Sequence, residues 1–155
     1  MENPGPLKKE ILILCTGNSC RSQMAEAYFR FFASGLVEAV SAGTRPLPVH
    51  PLAIQVMQED GIDISRQVSK SVDAFRYRTF DYIITVCDKA RENCPYFPGR
   101  GKRIHHSFDD PAAASGTGDE MLHEFRRVQN EIKNWVRDFV YREWGDLAPA
   151  ASDLS

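Results

Sequence analysis

No run of apolar residues in this 155-residue chain is long enough to cross a bilayer. The longest purely aliphatic stretch, residues 11–14, is also too short for the core of a secretion signal, although Lys8 and Lys9 precede it. The chain is therefore expected to act in the cytoplasm, without a membrane role. Neither sign of charge dominates: 19 lysines and arginines against 21 aspartates and glutamates leave a net charge of -2. Such a balance provides no general field for nucleic acid, so any anion site must be local. Repeats and low-complexity tracts are lacking. At 43% hydrophobic residues the chain can fill one core but is too short for two ordinary domains. Cysteine is scarce, with four in all, and in a non-secreted chain these suit catalysis, redox chemistry or metal better than a structural disulfide framework.

Residues 10–14 form a short buried run whose flanking turn residues, Gly17 and Asn18, favour a strand. The segment 22–33 then carries Met24, Ala25, Ala27, Tyr28, Phe31 and Phe32 at roughly helical spacing. A second strand is expected at 38–42. Prolines 46, 48 and 51 mark a rigid loop leading into a helix at 52–60, which Gly61 stops. A weakly helical stretch at 72–77 precedes the most strand-like run, 81–86, with Cys87 at its end. Residues 88–101 read as loop with at most one helical turn, and 102–106 as a minor strand. The last element, 120–143, places Leu122, Phe125, Val128, Ile132, Trp135, Val136, Phe139 and Val140 on one helical stripe that should cover a sheet face. Strands alternating with helices imply right-handed crossovers and a parallel sheet, with ligands at the carboxyl ends of the strands. Residues 1–8 are expected to be a flexible extension, 9–144 the single catalytic domain and 145–155 a flexible tail.

At the end of the first strand stands Cys15-Thr16-Gly17-Asn18-Ser19-Cys20-Arg21-Ser22. Successive N–H groups in such a turn can form a nest for a tetrahedral oxyanion, backed by the positive end of the following helix. Arg21 can offer its planar fork to two oxygens of the anion. A cation and a helix N-terminus favour ionisation of a thiol, which makes Cys15 the candidate nucleophile, with Ser22 as hydrogen-bond partner. The plainer alternative is a buried cysteine between strand and helix, with a surface arginine.

Asp110, stiffened by Pro111, is a candidate proton donor to a leaving oxygen, with Asp109 as its competitor; an aspartate in a turn before proline is also an ordinary structural feature. Cys87 and Cys94 are separated by six residues and can be bridged if the loop between them bends. Cys87 could then attack an adduct on Cys15, and Cys94 could resolve the Cys15–Cys87 disulfide. Zinc binding and core packing are the alternatives, though the spacing is wider than usual for zinc. Cys20 has no evident relay partner and suits packing. His50, His105 and His106 are read as structural or solvent-facing.

These residues resemble the thioredoxin-coupled arsenate reductases, a branch of the low-molecular-weight tyrosine phosphatase superfamily. The likeness runs from about Ile11 to Trp144 and rests on four signatures: the stretch from Cys15 to Glu26, Ser41-Ala42-Gly43, Phe108-Asp109-Asp110-Pro111-Ala112, and the Cys87/Cys94 pair. The resemblance implies an α/β three-layer sandwich around a central four-stranded parallel sheet. It implies arsenate, or another small tetrahedral oxyanion, bound by residues 16–22 (Thr16, Gly17, Asn18, Ser19, Cys20, Arg21 and Ser22) and attacked by Cys15. Asp110 would assist departure of water or hydroxide. Cys87 and Cys94 would carry the oxidation to thioredoxin, with no tightly bound cofactor and a monomeric protein. A plain phosphatase of this fold is the alternative and needs only Cys15, Arg21 and Asp110. Three alanines after Pro111, where tyrosine phosphatases carry aromatic residues, favour a small inorganic anion. Some members hold potassium through residues matching Asn18, Glu26 and Ser41. Lys70 replaces a further acidic ligand here, and its ammonium can serve the cation's electrostatic role, so no metal is assigned.

Overall fold

The computed structural model of the protein describes residues 8–88, 92 and 94–145; the expectations for residues 1–7 and 146–155 lie outside the described residues. Four parallel strands, β1 (Lys9–Cys15), β2 (Val37–Gly43), β3 (Tyr82–Thr85) and β4 (Lys102–His105), lie in the order β2-β1-β3-β4. β1 is central, and Ile11 to Cys15 are buried without interruption because both faces of that strand are covered. Its side chains alternate between two cores. Ile11, Ile13 and Cys15 enter the larger one, whereas Leu12 and Leu14 enter the smaller.

The larger core lies under helices α1 (Arg21–Phe32), α2 (Pro51–Glu59) and α3 (Gly118–Trp144). α3 begins at a capping box, where Thr117 and Glu120 satisfy each other's backbone N–H groups, and buries Phe125, Val128, Ile132, Val136, Phe139 and Val140 along one stripe. Each such side chain contributes about 1.5–3 kcal/mol by leaving water. On the opposite face the covering layer is built from short pieces: Phe75 in the 3-10 turn Val72–Phe75, with Phe80 and Phe97, packs on Leu12, Leu14 and Ile83.

All the expected elements occur, displaced by one or two residues at their ends. The weakly helical stretch at 72–77 is only one 3-10 turn, held by Ser71, whose side chain accepts from Asp73 N–H. Three helices meet at Gln129. Its buried amide donates to the Val56 carbonyl of α2 (2.7 Å) and to the Tyr28 hydroxyl of α1 (3.1 Å), while Tyr28 donates to Asp60 (2.8 Å). Replacing Gln129 by Met keeps the volume but withdraws the donor from a buried carbonyl. It is expected to lower unfolding stability by about 1–3 kcal/mol. A shift in urea midpoint at unchanged slope is the readout, and an unshifted midpoint would show that this junction is not needed.

Candidate active site

β1 ends at Cys15 and α1 starts at Arg21, so the turn between them must reverse direction within five residues. It does so with its carbonyls committed outward: Thr16, Gly17 and Ser19 accept N–H bonds from Arg45 (3.0 Å), Leu47 (2.9 Å) and His50 (3.0 Å) of the following loop. The amide side of the turn faces inward, where Asn18 N–H donates to Cys15 Sγ at 3.2 Å and Ser22 Oγ lies 2.8 Å from the same sulfur. Cys20 precedes α1 without any side-chain cap, so no side chain takes the first N–H groups of the helix. Cys15, Thr16, Gly17, Ser19, Cys20 and Arg21 line a cleft of about 530 Å³ with Arg45, Leu47, His50, Glu92, Asp110 and Ala112, whereas Asn18 and Ser22 lie outside its lining.

Arg21 is almost wholly buried, and both terminal nitrogens of its guanidinium are bonded. Its two terminal nitrogens bind the two oxygens of Glu92 at 2.6 and 2.7 Å, and one of them also donates to the Phe108 carbonyl (3.2 Å). Glu92 accepts further bonds from the Thr16 hydroxyl and the Asp88 N–H, both at 2.9 Å. Burial alone would raise the Glu92 carboxyl, but the bonds from Arg21, Asp88 and Thr16 outweigh it and hold the group down at about 2. Asp110 faces the same guanidinium at 3.8 Å, with its other oxygen on Ala112 N–H at 3.0 Å. Asp109 points elsewhere, into an ion pair with Arg127 of α3 (2.9 Å). Of the two competing aspartates, Asp110 is therefore the one beside the cleft.

Cys15 is the last residue of β1, and Cys87 lies two residues past the carboxyl end of the neighbouring β3. Cys87 and Cys94 are joined in a disulfide, with Cα atoms 5.8 Å apart; Cys87 is fully buried and Cys94 partly so. Cys15 and Cys20 are free. Burial pushes the Cys20 thiol up to about 12, so at neutral pH it packs as an uncharged group.

Beneath the loop, Asn18 adopts a left-handed backbone (φ 48°), a conformation asparagine tolerates better than most residues. Its amide donates to Ser22 (2.8 Å) and Ser41 (2.9 Å) and accepts from Lys70 N–H (2.8 Å) and Gln23 (3.1 Å). Ser41 in turn donates to Glu26 (2.9 Å). The buried Glu26 carboxylate is countered by Arg30 at 3.2 Å and the Lys70 ammonium at 3.8 Å. Two cations of the chain thus balance the charge that the potassium ligand set would present. Burial pulls Lys70 below its usual value, with Glu26 opposing and Arg30 reinforcing the shift. Among the described residues, no three or more His, Cys, Asp or Glu side chains are grouped to hold a metal ion.

The sequence profile of the low molecular weight phosphotyrosine protein phosphatases matches residues 10–145, which include the cysteine–arginine loop between the central strand and α1. The chain belongs to this family. Within it, the chain is 43% identical over 133 residues to an arsenate reductase of Halalkalibacterium halodurans, covering 86% of this chain and 96% of that protein. It is likewise 43% identical over 132 residues to the arsenate reductase of Bacillus subtilis, covering 85% and 95%. A solved arsenate reductase in the phosphate binding state superposes with a TM-score of 0.73 at 31% identity, over 86% of this chain and 98% of that one.

Against the family's loop, two cleft residues stand out as unforeseen. His50, expected to be merely structural, caps α2 by accepting Leu52 N–H at Nδ1 (3.0 Å) and also lines the cleft. Burial lowers its basicity, opposed by Asp110, so the ring is neutral at physiological pH. Glu92 carries no spacing signal: its side-chain partners Arg21 and Thr16 lie 71 and 76 residues away in sequence.

Two outcomes are expected from this geometry. A Cβ on Gly43 would stand 2.4 Å from the Thr16 carbonyl oxygen and 2.9 Å from Asn18 N. Gly43→Ala should therefore displace the loop, costing about 1–3 kcal/mol in thermal or urea unfolding together with most of the activity. Wild-type stability would show that the loop can yield. Because the Glu92 carboxyl is depressed from 4.5 to about 2, its ion pair stabilises the fold fully above 4.5 and is lost as pH falls toward 2. Acid titration of the disulfide form, followed by near-ultraviolet circular dichroism, should show a steeper loss across that window for wild type than for Glu92→Gln. Identical curves would contradict the pairing.

Proposed function

We propose that the chain reduces arsenate to arsenite, with Cys15 as nucleophile and thioredoxin as the external dithiol. The observation that carries this is the Cys87–Cys94 disulfide beside the oxyanion loop, a pair that phosphate ester hydrolysis does not need. Arsenate sits in the loop of residues 16–22 with Arg21 on two of its oxygens. Cys15 sulfur bonds to arsenic, and water leaves with assistance from Asp110. Cys87 thiolate then attacks Cys15 sulfur. The S–S bond forms as the As–S bond breaks, its electron pair stays on arsenic, and arsenite departs.

Cys94 thiolate attacks Cys87 next, returning Cys15 to its thiolate and leaving the Cys87–Cys94 disulfide. A thioredoxin dithiol supplies the two electrons and two protons that reopen it. No tightly bound cofactor enters the sequence. The partly buried position of Cys94 suits attack from outside, whereas Cys87 is closed off. A monomer acting in the cytoplasm, where such dithiols are kept reduced, completes the proposal. No helix among the described residues is long and apolar enough to cross a membrane.

The phosphatase alternative shares Cys15, Arg21 and Asp110, so the distal thiols discriminate. With thioredoxin, thioredoxin reductase and NADPH, Cys87→Ser and Cys94→Ser should each lower arsenite production by roughly a thousandfold or more, as happens when one member of an interdependent set is removed. If no protein makes arsenite while all three cleave an aryl phosphate equally, the chain is a phosphatase with structural distal cysteines.

A further inference from the structure

The Cys87–Cys94 loop does more than carry two thiols. Between them Glu92 delivers a carboxylate to the two groups best suited to hold a substrate oxyanion. Both of its oxygens face the Arg21 fork at 2.6 and 2.7 Å, and one also takes the Thr16 hydroxyl at 2.9 Å. A bidentate arginine contact to two oxygens of one anion is the recognition unit that the loop offers arsenate. Glu92 occupies the edge of the guanidinium formed by its two terminal nitrogens. While Glu92 holds it, an arriving anion loses that partner and meets a second negative charge, since the Glu92 carboxyl is ionised throughout the physiological range.

We propose that Glu92 is an internal competitor for the oxyanion seat, held there by the Cys87–Cys94 disulfide and withdrawn when the disulfide is reduced. It presupposes the arsenate reductase activity proposed above and adds an order of events to it. The disulfide, with Cα atoms 5.8 Å apart, closes a short loop that fixes Glu92 two residues before Cys94. The Asp88 N–H, inside that same loop, fixes the carboxylate from the other side at 2.9 Å. Reduction by an external dithiol breaks the S–S bond into two thiols, the dithiol itself becoming a disulfide, and removes the constraint on the segment. Substrate and Glu92 then exchange on Arg21. The oxidised protein, which has no Cys87 thiolate with which to complete turnover, thus refuses the anion, and abundant phosphate cannot occupy it before it is recharged.

Calorimetric titration with inorganic phosphate tests this without turnover. Wild type and Glu92→Gln are each titrated with the Cys87–Cys94 disulfide intact and after reduction, the redox state being checked by thiol alkylation and mass. Oxidised wild type is expected to bind phosphate at least about tenfold more weakly than reduced wild type, the scale of one charge-assisted contact set. Glu92→Gln should close most of that gap by tightening the oxidised form. Equal affinities in the two wild-type states would overturn the proposal, and so would a gap that persists in Glu92→Gln or, should that variant not fold, in Glu92→Ala. If reduced wild type binds no phosphate, the oxyanion seat itself is wrong and the proposed function falls with it, an outcome distinct from failure of the competitor alone.

Discussion

A single buried amide, that of Asn18, organises the loop between β1 and α1 on which the proposed site depends. It has two donors and two acceptor lone pairs, and all four are used, toward Ser22, Ser41, Lys70 and Gln23. Its backbone joins in: the N–H reaches Cys15 sulfur while the carbonyl accepts from Gln23 and from the Ser69 hydroxyl. One side chain therefore ties β2, α1 and the segment before the 3-10 turn to the loop at the end of β1. A partly satisfied network at this depth would be worse than an apolar one, and complete satisfaction is what makes a left-handed residue in the middle of the loop sustainable.

On that base the proposed reaction divides between two segments. In it the loop and Arg21 would handle anions, and the connection after β3 would handle electrons. They meet because β1 and β3 are neighbours in a parallel sheet, so that both strands release their chains at the same edge. Glu92 lies where they meet, belonging to the redox segment in sequence and to the anion site in space. The electrostatics are correspondingly balanced: one buried guanidinium is shared between Glu92 and, at longer range, Asp110.

How much of this could be read from the sequence follows from how local each feature is. The oxyanion loop is eight consecutive residues between an apolar run and a helical stripe, so its identity and its place at a strand end were both legible. The apolar stripe of α3 allowed the end of that helix to be placed to within a residue, whereas its capping box at Thr117 and Glu120 was not read in advance. Features set by distant partners were not legible. The choice between Asp109 and Asp110 is made by Arg127, on a helix 18 residues further along. The stretch 72–77 has modest helical character, and it forms a single 3-10 turn capped by Ser71, with Phe75 packed on Phe80. Glu92 gave no signal in the sequence, because its contacts with Arg21 and Thr16 are set by the tertiary fold. The likeness to arsenate reductases pointed to Lys70, yet only packing shows its ammonium beside Glu26.

The order β2-β1-β3-β4 carries one more implication. Residues 15–22 and 87–94 are carried by neighbouring strands, so the sheet acts as a mounting rail with two brackets, cross-braced by Glu92 on Arg21 and Thr16. Substitutions that retune the thiol segment need not disturb the floor of the anion loop, which is secured from the other side by Ser41, Gly43 and the chain at 45–50. A scaffold of this kind can change the currency of its reaction, from group transfer to electron transfer, by remodelling a single connection.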